Sequence, residues 1–106
     1  SLEWQAEYGG AGYQIASPAF VKAMKLLKAF WESPLSRQEK ITKIALDQTG
    51  GVTVTLGAGP RLRMGRDPVS RVARLDQIRY LLEGPDRDRL DYIDLQFEEI
   101  VVKKKK

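Results

Sequence analysis

Three short segments in the middle of the chain alternate between apolar and polar residues, and this pattern restricts the fold more than any other feature. Segments 42–46, 52–56 and 62–64 place mainly apolar residues at every second position. Such alternation is typical of strands that have one face on a core and the other in water. Turn-forming residues at 47–51 and 57–60 separate the segments. The pattern therefore predicts two consecutive hairpins, which form an antiparallel meander.

An amphipathic helix is predicted before the meander, over about 17–32. Ser17-Pro18 supplies a capping serine and a proline suited to the first helical position, and Ser33-Pro34 ends the helix. Phe30 and Trp31 are adjacent, so we expect one of them to be partly exposed and a candidate contact. The residues predicted to face the core are Phe20, Val21, Met24, Leu27 and Trp31.

A second helix is predicted after the meander, over about 68–83. Asp67-Pro68 repeats the cap-and-proline pair, and Gly84-Pro85 ends the helix. Gly65 is expected to take a positive φ just before the cap, so Gly65 and Asp67 are predicted structural residues. The apolar residues recur at Val69, Val72, Leu75, Ile78 and Leu82.

Two strands are predicted at the end of the chain. Residues 92–97 alternate, and 100–103 is apolar and β-branched before the terminal lysines. Glu98-Glu99 suits a tight turn poorly, so the connection must be wider than two residues or contain a bulge. The order α-β-β-β-α-β-β predicts an α+β fold, an antiparallel sheet with two helices on one face. Residues 1–16 are expected to be an irregular lead-in with room for a short strand, and Trp4 is available to pack on the single domain 17–106.

The composition excludes several classes of function. The chain of 106 residues is 42% apolar and 30% charged, which is typical of a globular protein. It has no cysteine and no histidine, which excludes disulfides, thiolate or imidazole metal sites and histidine-based triads. The net charge of +4 equals the terminal run Lys103–Lys106, so the body is neutral. Neither a run of about 18 apolar residues nor a signal peptide is present.

Three groups of residues are candidate sites of chemistry. Interleaved arginines make the acidic cluster at 86–94 more typical of a solvated loop than of a cation site or an acid/base pair. The segment 57–59 lacks the Lys-Ser/Thr of a phosphate loop and predicts a hairpin turn. A phosphate-binding stripe would make the chain a nucleic-acid-binding domain, the alternative function. Its candidate residues are Arg61, Arg63, Arg66, Arg71 and Arg74.

The last strand offers the strongest functional hypothesis from the residues alone. Its β-branched residues point to both faces, and it lies at the end of the sheet. A free outer edge is a template for another strand, although the lysines could instead serve only to protect that edge. The sequence therefore favours protein–protein interaction, with no cofactor and no bond-breaking chemistry.

Residues 17–105 resemble the C-terminal β domain of the bacterial cell-division family FtsQ, also called DivIB. That family has an Asp-Leu-Arg-aromatic strand followed by a Gly-containing turn and a valine-rich strand; here Gln96 replaces the arginine and Glu98-Glu99 replaces the turn. Gly65 and Asp94 lie in matching contexts, so Asp94 joins the predicted structural residues. The stretches that carry the resemblance are 20–31 with Pro34-Leu35, 41–47, 51–56, 62–65, 72–75, 92–97 and 101–103.

The resemblance implies a non-enzymatic divisome scaffold on the extracytoplasmic face of the cell membrane, periplasmic in Gram-negative cells. Its anchor and a preceding POTRA domain would lie outside this chain. Its implied partners are FtsB and FtsL, with a partner strand added to the last strand of the sheet. Phe97 matches the family's contact tyrosine. The expected partner-binding residues are Tyr92, Phe97, Glu99, Ile100, Val101, Val102 and Lys103.

Overall fold

The computed structural model describes residues 3–6, as backbone only, and residues 18–106. Within these residues one six-stranded sheet has its strands in sequence order. The strands are β1 (Glu3–Ala6), β2 (Ile41–Leu46), β3 (Val52–Leu56), β4 (Arg61–Gly65), β5 (Leu90–Asp94) and β6 (Val101–Lys104). The helices are α1 (Pro18–Glu32), α2 (Pro68–Arg71) and α3 (Arg79–Glu83), with 3-10 helices at Pro34–Arg37, Val72–Ile78 and Arg87–Arg89.

The predicted α+β class and the meander are confirmed. Strands β2, β3 and β4 pair antiparallel in sequence, and β5 pairs antiparallel with β6. Two pairs, β1–β2 and β4–β5, are parallel, so the sheet is mostly rather than wholly antiparallel. Both parallel pairs are joined through helical segments, and such a crossover returns the chain to the same end of the sheet.

The core lies between the sheet and the helices. A row of apolar side chains crosses the sheet in register, from Ile44 through Val54 and Leu62 to Ile93. All four are buried, and the next residue in the row is Val102 on β6, which is 37% exposed. The opposite face carries Thr55, Arg61 and Tyr92 in a parallel polar row, as the sequence predicted. The core therefore ends one strand short of β6.

Helix α1 forms where predicted, but the predicted core face is largely wrong. Of the five residues expected to face the core, Leu27 is buried, whereas Val21, Met24 and Trp31 are exposed. The helix carries two apolar stripes, and the stripe with small residues faces the sheet, because small side chains allow closer packing. The buried residues of α1 are Ala19, Ala23, Leu26, Leu27 and Phe30.

The second helical segment covers 68–83 as predicted, but its middle is a 3-10 helix over Val72–Ile78. Its apolar residues are spaced by three, and a 3-10 helix has three residues per turn. This geometry places Val72, Leu75 and Ile78 in one buried row. Val69 belongs to the same sequence pattern but is exposed.

The expected helix caps differ from prediction. Asp67 occupies the cap position of α2 with φ −121° and ψ 70°, and its side chain forms no cap hydrogen bond. That conformation lies away from the extended region in which a cap side chain reaches the first free N–H groups. The Ser70 hydroxyl instead donates to the Asp67 carbonyl at 2.8 Å. Ser17 and the side chain of Trp4 lie outside the described residues.

Candidate functional site

Strand β6 is the edge of the sheet beyond β5. Among the described residues no strand pairs with its outer side, and β1 lies at the opposite edge. All four residues of β6 are exposed. An unpaired edge of this kind presents backbone donors and acceptors to another chain.

The backbone groups of β6 alternate between its two sides. The Lys105 N–H donates to the Arg89 carbonyl at 2.7 Å, which is on the β5 side. Because successive residues of a strand point their N–H and C=O groups to opposite sides, Lys103 and Val101 also face β5. Val102 and Lys104 therefore direct their N–H and C=O groups outward. The described edge offers two donors and two acceptors.

The connection from β5 to β6 is fixed by one arginine. The Arg74 guanidinium, on the 3-10 helix, donates to the Leu95 carbonyl at 3.0 Å. It also donates to the carbonyls of Phe97 and Glu98. One planar group thus orients three peptide groups of the connection. The sequence suggested Arg74 only as a phosphate contact, since spacing does not show that a side chain will reach backbone carbonyls 21 or more residues away.

Asp94 and Gly65 both lie against Gln96, a residue of this connection. Asp94 is buried, and its carboxylate accepts hydrogen bonds from the Gln96 N–H at 3.0 Å and the Gln96 side-chain amide at 3.2 Å. Gly65 ends β4 with φ +78°, and a Cβ there would lie 2.9 Å from the Gln96 Cγ. A residue without a side chain is therefore required under Gln96.

The predicted contact residues occupy different positions around the edge. Phe97 is 61% exposed and lies in the connection beside β6. Glu99 is exposed but lies in the bend rather than in the strand. Ile100 packs partly buried against the core, so its side chain is largely withdrawn from the edge. Val101, Val102 and Lys103 lie on β6 itself. The connection is wider than two residues, as predicted.

Tyr92 lies one strand inside the edge. It pairs with Lys103 in register and is half-buried, with the Arg63 guanidinium 3.7 Å from its ring centroid. Tyr92 is therefore a neighbour of the edge on the open face of the sheet rather than part of it.

The arginines of the proposed phosphate stripe are separated in space and engaged with other groups. Arg61 binds Asp91 at 2.8 Å, Arg63 covers Tyr92, and Arg74 binds carbonyls on the helical side. In the acidic cluster, the Asp86 Oδ2 lies 3.8 Å from the Lys104 Nζ. Across the described residues no group of three or more acidic residues is placed to hold a metal ion.

The family model described as "Cell division protein FtsQ/DivIB, C-terminal" matches residues 7–96. A search of curated proteins finds no match. The matched region includes Gly65, Arg74 and Asp94 and ends at Gln96, one residue before Phe97. None of the helices in the described part of the chain has the length and apolar character needed to span a bilayer.

Proposed function

This chain belongs to the FtsQ/DivIB family of cell-division proteins, and from that premise we propose that β6 binds an extended segment of another division protein by strand addition. The family is one of non-catalytic division scaffolds that interact with other division proteins. We propose FtsB- or FtsL-like proteins as the partners, on the extracytoplasmic face of the membrane. The observation that carries the proposal is the exposed outer side of β6, unpaired by any described strand.

Backbone bonds alone would bind a partner weakly. The outward groups of Val102 and Lys104 allow four hydrogen bonds, at about 1 kcal/mol each. Association costs at least about 4 kcal/mol, so these bonds roughly cancel the cost. Burial of a phenylalanine contributes about 1.5–3 kcal/mol. We therefore assign Phe97, which is 61% exposed beside the edge, the role of the main side-chain anchor.

The charge around β6 favours an acidic partner. Lys103 and Lys104 lie on the strand, and Lys105 and Lys106 follow it, all exposed. Clustered cations raise the rate of association with an acidic segment more than they raise affinity. We expect the rate of association to fall with added salt while the rate of dissociation changes little.

The test is a proline substitution on the outward side of the edge. Val102→Pro removes an N–H that faces away from β5, so the sheet keeps its own hydrogen bonds. We expect binding to an FtsB-like partner, measured by calorimetry, to weaken at least about tenfold, because one donor is lost and the ring obstructs the incoming strand. The urea unfolding midpoint should stay close to that of the wild type.

Val102→Thr is the matched control, since threonine keeps both the β-branched shape and the N–H. We expect it to bind as the wild type does. Equal affinity for Val102→Pro and wild type, with both folded, would contradict strand addition at β6.

A further inference from the structure

The outer face of α1 is an apolar surface with no described element packed on it. Val21, Met24, Lys28 and Trp31 recur at spacings of three, four and three, which places them on one stripe. Met24 is 43% exposed and Trp31 is 64% exposed. We call these four residues the outer stripe. It lies on the side of α1 opposite the alanines that face the core.

Two shallow recesses with basic margins lie along the outer stripe, and we call them together the groove. Met24, Lys25, Lys28 and Trp31 line a recess of about 480 Å³. A second recess continues from Val21 and Lys25 to residues near the start of α2, adding Lys22, Arg66 and Val69. Asp67 is the single acidic residue among the described residues that line either recess. The charged and apolar residues that line the groove are therefore basic or apolar, with Asp67 as the exception.

We propose that this groove binds an acidic amphipathic α-helix of another protein. A spacing of three, four and three is the pattern by which one helix receives the side-chain ridge of a second helix. The stripe from Val21 to Trp31 covers eleven residues and rises about 15 Å along the helix, which matches about three turns of a partner. Carboxylates beside the partner's apolar ridge would meet Lys25 and Lys28.

Charge and shape favour this occupant over two others. A second copy of the chain would bring Lys25 and Lys28 against the same lysines, and like charges across an interface are repulsive. A lipid surface presents no ridge to fill a recess, although its anionic headgroups would attract the lysines. An acidic helix supplies both a side-chain ridge that fills the recess and negative charges that complement the lysines.

Trp31 gives a readout at the proposed groove. In the full chain carrying Trp4→Phe, Trp31 is the only tryptophan, and burial should move its emission to shorter wavelength. The probes are two synthetic 21-residue helical peptides that share a leucine seam and contain no tryptophan. One has glutamates beside the seam and the other has lysines. We expect the glutamate peptide to bind and shift the Trp31 emission, and the lysine peptide to do neither.

A charge exchange makes the test specific. Lys25→Glu with Lys28→Glu should weaken binding of the glutamate peptide roughly tenfold and create binding of the lysine peptide. The matched control is Arg37→Glu with Arg89→Glu, which changes the net charge equally at two exposed positions that line neither recess. It should bind the glutamate peptide as the parent does.

Several results would overturn the proposal. These are equal binding of the two peptides, equal loss of binding in the Arg37 and Arg89 control, or an unchanged Trp31 emission. A shift of Trp31 with phosphatidylglycerol vesicles but not with the glutamate peptide would assign the groove to the membrane. A concentration-dependent shift with the chain alone, accompanied by a dimer in sedimentation, would assign it to a second copy.

Discussion

At the scale of single residues, Gly65 ends β4 and lies against Gln96 in the β5–β6 connection. Its φ of +78° is unfavourable for residues with a Cβ, and a Cβ would lie 2.9 Å from Gln96. We predict that Gly65→Val lowers the free energy of unfolding by about 2–3 kcal/mol, measured in urea. Gly50→Val is the control, since Gly50 has φ +85° but the nearest atom to an added Cβ, the Lys22 Nζ, would lie at the ordinary contact distance of 3.6 Å. Equal losses in both variants would exclude the contact with Gln96 as a cause.

The environment of Asp47 predicts how the stability of the protein depends on pH. The Thr49 hydroxyl at 2.7 Å and the Gly51 N–H at 2.8 Å donate to its carboxylate and lower the pKa of Asp47. A pKa lowered by folding stabilises the protein above the unfolded value of about 3.9 and ceases to do so as the pH falls through the folded value.

We therefore expect Asp47→Asn to be less stable than wild type above about pH 5, with the difference shrinking as the solution is acidified. Thr49→Ala should remove part of the same pH dependence. Urea unfolding at a series of pH values measures both. A constant difference between wild type and Asp47→Asn at all pH values would contradict this assignment.

At the scale of elements, the connection between β5 and β6 depends on Arg74 more than on its own turn residues. We predict that Arg74→Met speeds amide hydrogen exchange across 95–100 and lowers stability by about 1 kcal/mol, since the freed carbonyls are partly hydrated. Arg71→Met is the control, because none of the described hydrogen bonds of these carbonyls involves Arg71. Unchanged amide exchange in Arg74→Met would show that the β5–β6 connection keeps its structure without Arg74.

At the scale of the whole molecule, one ion pair links distant parts of the chain. Arg87 donates to both Glu39 carboxylate oxygens, at 2.6 and 2.7 Å, and to the Gly59 carbonyl at 3.1 Å. The Glu39 carboxylate raises the pKa of Arg87. The Glu39 side chain is 9% exposed. In the Arg61–Asp91 pair, by contrast, the side chains are 50% and 37% exposed. Burial distinguishes the two pairs.

We predict that Glu39→Gln destabilises the protein by about 1–3 kcal/mol, because it leaves a partly buried guanidinium without its charge partner. Asp91→Asn should cost less than about 1 kcal/mol, as exposed pairs do. Thermal unfolding of both variants at one pH tests which substitution lowers stability more. A larger loss of stability from Asp91→Asn would contradict the conclusion that the more buried pair contributes more stability.

The sequence predicted the elements well and their contacts less well. Local patterns placed the meander, the bounds of both helical segments and the edge strand, because these depend on neighbouring residues. The core face of α1 was wrong, since Ala19 and Ala23 become core residues only through contact with a sheet that spacing does not reveal. The sequence predicted Arg74 as a phosphate contact, and its role in the β5–β6 connection was missed for the same reason. Likewise, the parallel pairing of β4 with β5 depends on where the chain returns after 68–83.

Hydrogen exchange at single amides of β6, with and without an FtsB-like partner, tests strand addition most directly. In the free protein we expect slow exchange at Val101 and Lys103, which face β5, and fast exchange at Val102 and Lys104. On binding, Val102 and Lys104 should become protected. Binding that leaves both of these amides in fast exchange would contradict strand addition at β6.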